Sequence, residues 1–287
     1  MMRALISFAI CLLALNLASC QKKPTPPNES VYFGVISPKP NQTFSIRPHL
    51  IGLRLDWKTN FPKSEVETIF KKKSIPLIYW HAADVIPAEV LNGDWDDFLN
   101  RWATDVRDIQ YPVFFSFPEE QVSTENAAVF RYVVSKFKEQ GAGNAIWVWS
   151  FRIDGADWDH IWQAYPGDEF VDWVGVIGAN IGPEWQTFED VFYAPIQKIS
   201  SHIKTKPIMI AGFGTIAEGG DLKRWVTNIP VYLQTTLKPV RAIMLSDRFD
   251  MIPLANDDPV FHNELSEILK QPVFHANIDE IQDVKPF

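Results

Sequence analysis

The sequence predicts a single (β/α)8 barrel, and three features of the chain support this fold class. The chain has 287 residues, 46% of them hydrophobic, which is enough to bury one large core. From Val31 onward, short apolar runs of strand length alternate with segments of helical periodicity. No internal repeat or second-domain boundary interrupts this alternation, so residues 31–287 are predicted to form one barrel domain.

Eight apolar runs are predicted to be the barrel strands, because eight strands separated by helices over residues 31–287 fit a closed parallel barrel. A doubly wound open sheet is the alternative. That fold normally carries a glycine-rich phosphate loop after its first strand, and Ser37-Pro-Lys-Pro40 does not supply one. The predicted strands are Tyr32–Ser37, Leu50–Leu55, Pro76–Trp80, Pro112–Phe117, Ala145–Ser150, Val171–Ile177, Pro207–Phe213 and Val240–Leu245.

Three of the intervening segments have the periodicity of amphipathic helices. Asp94–Ile109, Ala127–Gln140 and Asp221–Leu233 place apolar side chains at three- and four-residue steps. Gly93-Asp94 and Ser123-Thr124-Glu125 are typical of helix starts.

Residues 1–19 are predicted to be a lipoprotein signal peptide. Arg3 precedes the apolar run Ala4–Leu15, and a small-residue cleavage site follows it. The quartet Leu17-Ala18-Ser19-Cys20 resembles a bacterial lipobox, which implies that Cys20 is lipidated. An ordinary secretory signal with a chance cysteine is the alternative.

Residues 20–30 are predicted to be the lipidated cysteine and a flexible tether, because the segment is polar and rich in proline. No other apolar run approaches transmembrane length, so we expect anchoring by lipid rather than a membrane span. The expected location is the bacterial cell envelope, facing the periplasm or the exterior. Both cysteines, Cys11 and Cys20, lie at or before the cleavage site, so the domain has no disulfide.

The net charge and the residue spacing also exclude several functions. A net charge of −8 argues against nucleic acid, which requires a basic surface. The histidines show no metal-ligand spacing, no glycine-rich loop suggests a nucleotide, and no serine lies in a nucleophile elbow. We therefore predict neither a cofactor nor a metal.

A pair of carboxylates follows the fourth apolar run. Groups just past a strand's C-terminal end point into the mouth of a parallel barrel, where an acid or base is placed. Glu120 is therefore the candidate acid/base, and Glu119 is a weaker candidate. Capping of the following helix is the alternative role for both residues.

Several motifs between Pro76 and Gly214 resemble glycoside hydrolase family 26, the β-mannanase family of retaining barrel enzymes. The resemblance implies a β-linked polysaccharide of the mannan type as the ligand. Tyr165-Pro-Gly-Asp168 is the most specific motif. The others are Asn92–Asp96 with Arg101–Ala103, Ile146–Ser150, Val171–Gly175, and Lys206–Ala211 with Phe213–Gly214.

The chain departs from the family at the catalytic positions. Glu120 falls on the acid/base glutamate, but Gly212 falls on the nucleophile. Glycine cannot attack a sugar, so the resemblance implies that the retaining double displacement is lost. Asn180 matches a family site position. Other family site positions are replaced, at Ser116, Glu119, Val122, Ile177 and Ala179.

Three other acids are candidates for a relocated partner. Glu218 lies on the loop after the seventh run. An inverting reaction needs a base about 6.5–9.5 Å from the acid, and Asp247 or Asp84 could supply one from a neighbouring strand end.

Substrate-binding residues are predicted at the strand ends. Trp80, Trp149 and Trp185 are candidates for stacking on sugar rings, with core packing as the alternative. His81, Asn180 and Asp247 are candidates for hydrogen bonds to sugar hydroxyls. Asp168 and Asp172 lie before or at the start of the sixth strand and are assigned to barrel stability.

Three functions remain open at this point. The first is a degenerate, lipid-anchored relative of family 26 that binds polysaccharide without the double-displacement chemistry. The second is an active glycosidase that uses Glu120 with a relocated partner. The third is a structural lipoprotein of the envelope, because one barrel can host many functions.

Overall fold

A computed structural model of the chain describes residues 30–38, 42–81, 85–117, 122–249, 252–255 and 258–284. Eight parallel strands form a closed barrel in sequence order, and the first strand pairs with the eighth through Tyr32–Ala242 and Phe33–Ile243. Because the sheet closes, the predicted (β/α)8 barrel is confirmed and the open doubly wound sheet is excluded.

All eight predicted apolar runs form strands. A short antiparallel hairpin, β9 (Arg248–Phe249) and β10 (Ile252–Pro253), follows the last of them. The barrel strands are β1 (Tyr32–Ile36), β2 (Leu50–Asp56), β3 (Ile75–His81), β4 (Val113–Ser116), β5 (Ala145–Arg152), β6 (Trp173–Ile177), β7 (Ile208–Phe213) and β8 (Val240–Leu245).

The described helices surround the barrel. They are α1 (Lys63–Lys71), α2 (Pro87–Leu91), α3 (Asp96–Ile109), α4 (Thr124–Glu139), α5 (Trp158–Gln163), α6 (Phe188–His202), α7 (Leu222–Thr227), α8 (Ile229–Gln234) and α9 (Pro259–Ile268), followed by 3₁₀ helices at Pro272–Phe274 and Ile278–Val284. None of the helices in this part of the chain is both long and apolar enough to cross a membrane.

The helix starts agree only in part with the predicted signals. Ser123 caps α4 as predicted, and its hydroxyl accepts a hydrogen bond from the Asn126 amide at 3.0 Å. The predicted helix Asp221–Leu233 is wrong in its continuity, because Pro230 lies in the first turn of a second helix. Proline lacks an amide hydrogen and its ring clashes with the preceding turn, so α7 ends and α8 begins anew.

The barrel interior is filled by side chains and is closed below the mouth. A Cβ at Gly52 would lie 2.8 Å from the Tyr79 ring, so the glycine leaves room for this ring to enter the lumen. The Tyr79 hydroxyl then donates a hydrogen bond to the Ala211 carbonyl, across the barrel on β7, at 2.6 Å. Ligands are therefore confined to the outer end of the barrel.

Two acids stabilise the opposite, N-terminal end of the barrel. The Asp172 carboxylate accepts a hydrogen bond from the Trp147 amide at 2.8 Å, which joins the start of β6 to β5. The Asp168 carboxylate accepts from the Tyr165 hydroxyl at 2.7 Å, and its carbonyl accepts from Lys206 Nζ at 2.8 Å. These contacts fit the structural role predicted for both aspartates.

His49 is held in its neutral form just before β2. Its Nδ1 accepts a hydrogen bond from the Phe33 amide at 3.1 Å, so the ring hydrogen lies on Nε2, which donates to the Ala276 carbonyl at 3.1 Å. Burial of the ring lowers the pKa of His49 below its ordinary value of 6.5.

We expect this histidine to make stability depend on pH. Because the folded pKa is lowered, the unfolded chain binds more protons in acid. The stability that the neutral ring contributes is present above about pH 6.5 and is lost as the pH falls toward the folded pKa. The Tm of the native protein should therefore fall more steeply between about pH 7 and about pH 5 than that of His49→Gln. Parallel curves would contradict this role.

Candidate ligand site at the barrel mouth

Polar side chains line one side of the barrel mouth. Arg54 and Asp56 lie at the C-terminal end of β2, at positions that alternate with outward-facing residues. His81 ends β3, is exposed and is paired in register with Asp56. Arg152 ends β5. These groups offer charged and hydrogen-bonding contacts to a ligand.

Arg54 ties β2 to the segment that follows β8. Its Nη1 lies 2.8 Å from Asp247 Oδ1, and its Nη2 donates a hydrogen bond to Ser246 Oγ at 3.1 Å. The side chains of Arg54 and Asp247 are 28% and 39% exposed, so a ligand can reach the ion pair. Asp247 thus lies at the rim where the sequence placed it.

The opposite side of the mouth, at β6 and β7, is apolar. Gly212 lies near the end of β7, and its backbone is outside the left-handed region, so a side chain is conformationally allowed there. A Cβ at this position would lie 3.2 Å from Cγ2 of Ile177, the last residue of β6. Neither strand contains an acidic residue.

The hairpin after β8 reaches the end of β5. The Arg152 guanidinium lies over the ring of Phe249, 4.2 Å from its centroid, and Phe249 is only 4% exposed. Arg152 also makes two hydrogen bonds to the Asp154 carboxylate, from Nε at 3.1 Å and from Nη2 at 2.8 Å. This ion pair holds the guanidinium against the ring.

Four of the predicted residues lie outside the part of the chain that the structure describes: Glu119, Glu120, Asp84 and Cys20. Their assignments stay predictions.

Other predicted residues lie on the mouth side of the barrel. Glu218 is exposed on the loop after β7, and Trp185 is half-buried on the loop after β6. The Trp185 ring packs against Gly220, where a Cβ would lie 2.2 Å from the ring. The roles of Glu218, Trp185, His81 and Asp247 remain predictions consistent with these positions.

Trp80 and Trp149 require a correction, because both rings are buried in the core between the barrel and its helices. Trp80 is 2% exposed and stacks on Trp102, with ring centroids 4.4 Å apart. Trp149 is 3% exposed and packs against Phe151 and Tyr165. Side chains alternate along a strand, and these two residues fall on its outward face. Neither ring is available to stack on a sugar.

Asn180 also requires a correction. Its side chain is fully buried, Nδ2 donates a hydrogen bond to Thr215 Oγ1 at 2.9 Å, and Oδ1 accepts from the Gln186 amide at 3.0 Å. The amide therefore joins the loops after β6 and β7, and its role in the structure is architectural.

Our sequence reasoning missed Arg54, Asp56 and Arg152 as mouth residues. The signal was present in β2, where lumen-facing positions begin at Leu50 and alternate to Arg54 and Asp56. Counting alternate positions along each predicted strand, from a lumen-facing residue, would have identified these three residues.

Comparisons with known proteins agree with this architecture. Residues 89–210 match the model of Glycosyl hydrolase family 26. Endoglucanase H of Acetivibrio thermocellus is 26% identical over 275 residues, an alignment that covers 84% of this chain. The chain spans only 30% of the length of that relative.

Solved structures share the fold at low sequence identity. A GH26 β-mannanase from Bacteroides ovatus has a TM-score of 0.61 at 13% identity, covering 90% of this chain and 93% of its own. GH26C from Muricauda sp. has a TM-score of 0.59 at 14% identity, covering 90% of each chain. Cel5A from Thermotoga maritima, solved with mannotriose, has a TM-score of 0.54 at 13% identity and covers 85% and 98%.

The fold is a (β/α)8 barrel that these glycoside hydrolase structures share. The resemblance to glycosyl hydrolase family 26 that the motifs predicted is confirmed by the match over residues 89–210, which is less than half of the chain.

Proposed function

We propose that the protein binds a β-linked polysaccharide of the mannan type at the barrel mouth and does not cleave it by double displacement. The observation that carries this proposal is the apolar contact between β6 and β7. Neither strand contains an acidic residue, and a Cβ at Gly212 would meet Ile177, so neither strand supplies a carboxylate to attack a sugar.

Support for a glycan as the ligand comes from the family match and from the polar half of the mouth. A sugar offers hydroxyl groups that donate and accept hydrogen bonds. Asp56, His81 and the Arg54–Asp247 ion pair supply complementary groups on one side of the mouth. Cel5A from Thermotoga maritima, which shares the fold, was solved in complex with mannotriose, and this supports the proposal.

Binding can be measured by calorimetric titration with β-1,4-linked manno-oligosaccharides. We expect the native protein to bind and Glu120→Gln to bind equally well, because the acid/base contributes to chemistry rather than to affinity. His81→Ala should weaken binding by about 3- to 10-fold through the loss of one hydrogen bond. The matched control is His202→Ala, an exposed histidine at the end of α6. Absence of binding by the native protein would refute the proposal.

We also propose that Cys20 carries a lipid that anchors the protein to the bacterial envelope. The support is the lipobox-like quartet that ends at Cys20 and the polar, proline-rich segment that follows. Cys20→Ala should move the expressed full-length protein from the membrane fraction to the soluble fraction and abolish labelling by a palmitate analogue. Unchanged fractionation and labelling would contradict the anchor.

A second candidate function, an active glycosidase, is favoured by the match to a relative named an endoglucanase. It would require Glu120 as the acid and a relocated partner such as Asp247 or Glu218. Release of reducing sugar that depends on Glu120 would select this candidate over the first.

A further inference from the structure

The segment after β8 crosses one sector of the barrel mouth. It leaves the barrel beside Arg54 of β2, where Asp247 is held, and then carries Phe249 to Arg152 at the end of β5. In the barrel order, β6 and β7 lie between β5 and β8. The contact between Phe249 and Arg152 therefore spans the sector above β6 and β7.

This hairpin is fixed at its base by a hydrogen bond between its two arms and by contacts to the segment that follows β7. The Leu254 amide donates a hydrogen bond to the Asp247 carbonyl at 3.0 Å, and the Ala255 amide donates to the Thr215 carbonyl at 2.7 Å. A Cβ at Gly214 would overlap Cδ1 of Leu254, so a side chain there would require the Leu254 side chain to shift. We call the paired segments Arg248–Phe249 and Ile252–Pro253 the hairpin wall.

The wall is held in place by contacts within the protein. Phe249 is buried beneath the Arg152 guanidinium, and Ser246 Oγ donates a hydrogen bond to the Arg248 carbonyl at 2.7 Å. Displacing the wall would expose the Phe249 ring and break the stacked cation contact, and each change costs free energy. A ligand therefore meets a formed barrier above β6 and β7.

We propose that the hairpin wall makes the mouth a site for the end of a glycan chain and excludes its interior. A chain that enters over β2 and β3, past Arg54 and His81, runs into Phe249 and Arg152, so its last sugar unit must stop there. An internal stretch that continued across the mouth in the same direction would have to pass through the sector that the wall occupies. This inference rests on the proposed function and names the part of the polysaccharide that the site takes.

The test is a titration of the native protein with β-1,4-mannan fractions of different chain lengths, with concentration counted in chains. Each chain has one end of a given kind but many internal stretches. For a fraction about tenfold longer, end binding leaves the affinity per chain unchanged, whereas internal binding raises it about tenfold. An affinity per chain that rises with length would overturn the inference while leaving the proposed function intact.

Variants of the hairpin wall provide a second test. Phe249→Ala removes the ring that meets Arg152 and should make the affinity per chain rise with chain length. The control is Val260→Ala on α9, outside the wall, whose side chain is 46% exposed; it should keep the native, length-independent affinity. A folded Phe249→Ala protein that stays length-independent would overturn the inference. If that variant does not fold, the native length series decides alone. Failure of the native protein to bind any fraction would instead refute the proposed function.

Discussion

Replacing Trp80 with alanine is expected to lower the free energy of unfolding by about 3–5 kcal/mol. The ring lies between β3 and α3, 2% exposed, and stacks between Trp102 at 4.4 Å and Trp57 at 5.1 Å. Its removal leaves a cavity among large aromatic rings that cannot collapse to fill it. Denaturant unfolding followed by tryptophan fluorescence and circular dichroism measures the change.

Trp80→Phe is the matched control. The Trp80 Nε1 is buried and has no hydrogen-bond partner in the structure. The substitution by phenylalanine therefore breaks no hydrogen bond and keeps most of the packing. We expect it to cost about 1 kcal/mol or a little more, far less than alanine. A Trp80→Ala protein that keeps its stability but loses glycan affinity would show that the ring is a sugar platform after all.

The second large effect is expected when a carboxylate is restored on β7. Gly212→Glu alone would crowd Ile177, because its Cβ would lie 3.2 Å from Cγ2. Gly212→Glu combined with Ile177→Ala relieves that contact and presents an acid at the position of the family nucleophile. With Glu120 as its partner, we expect hydrolysis of manno-oligosaccharides to rise by at least about 10³-fold over the native background.

Gly212→Gln with Ile177→Ala is the control for this variant, since it has the same size but cannot form a covalent glycosyl intermediate. Activity in the glutamate variant alone would show that Gly212 accounts for the proposed loss of double displacement. A folded glutamate variant that binds oligosaccharide but remains inactive would show that β7 does not present position 212 to the bound sugar.

The barrel was predictable because its signal is local. Eight apolar runs bounded by turn residues specify strands, and a parallel barrel is the closed arrangement that their number and helical separators allow. The helix boundaries were less secure. Pro230 divides one predicted helix into α7 and α8, since a proline that breaks one helix is well placed to begin another.

The site was predicted less well, for two physical reasons. The first is the alternation of side chains along a strand. Trp80 and Trp149 were assigned to the mouth because they lie near strand ends, but a one-residue step along a strand moves a side chain from the lumen to the outer face. The second is the long sequence separation between residues that are in contact. The contact between Arg152 and Phe249 joins segments far apart in the chain, and no local pattern at either residue indicates it. The apolar side of the mouth was visible in sequence only through the family resemblance, at Gly212 and Ile177.

Prolonged incubation with manno-oligosaccharides in water enriched in heavy oxygen tests the central claim most directly. Any glycosidic cleavage by water places the label on the anomeric carbon of a product, and mass spectrometry detects it with high sensitivity. Because β6 and β7 present no attacking acid, we predict that the native protein binds the oligosaccharides and forms no labelled product above a protein-free control. Labelled, shortened oligosaccharides that disappear with Glu120→Gln would contradict the proposed loss of catalysis.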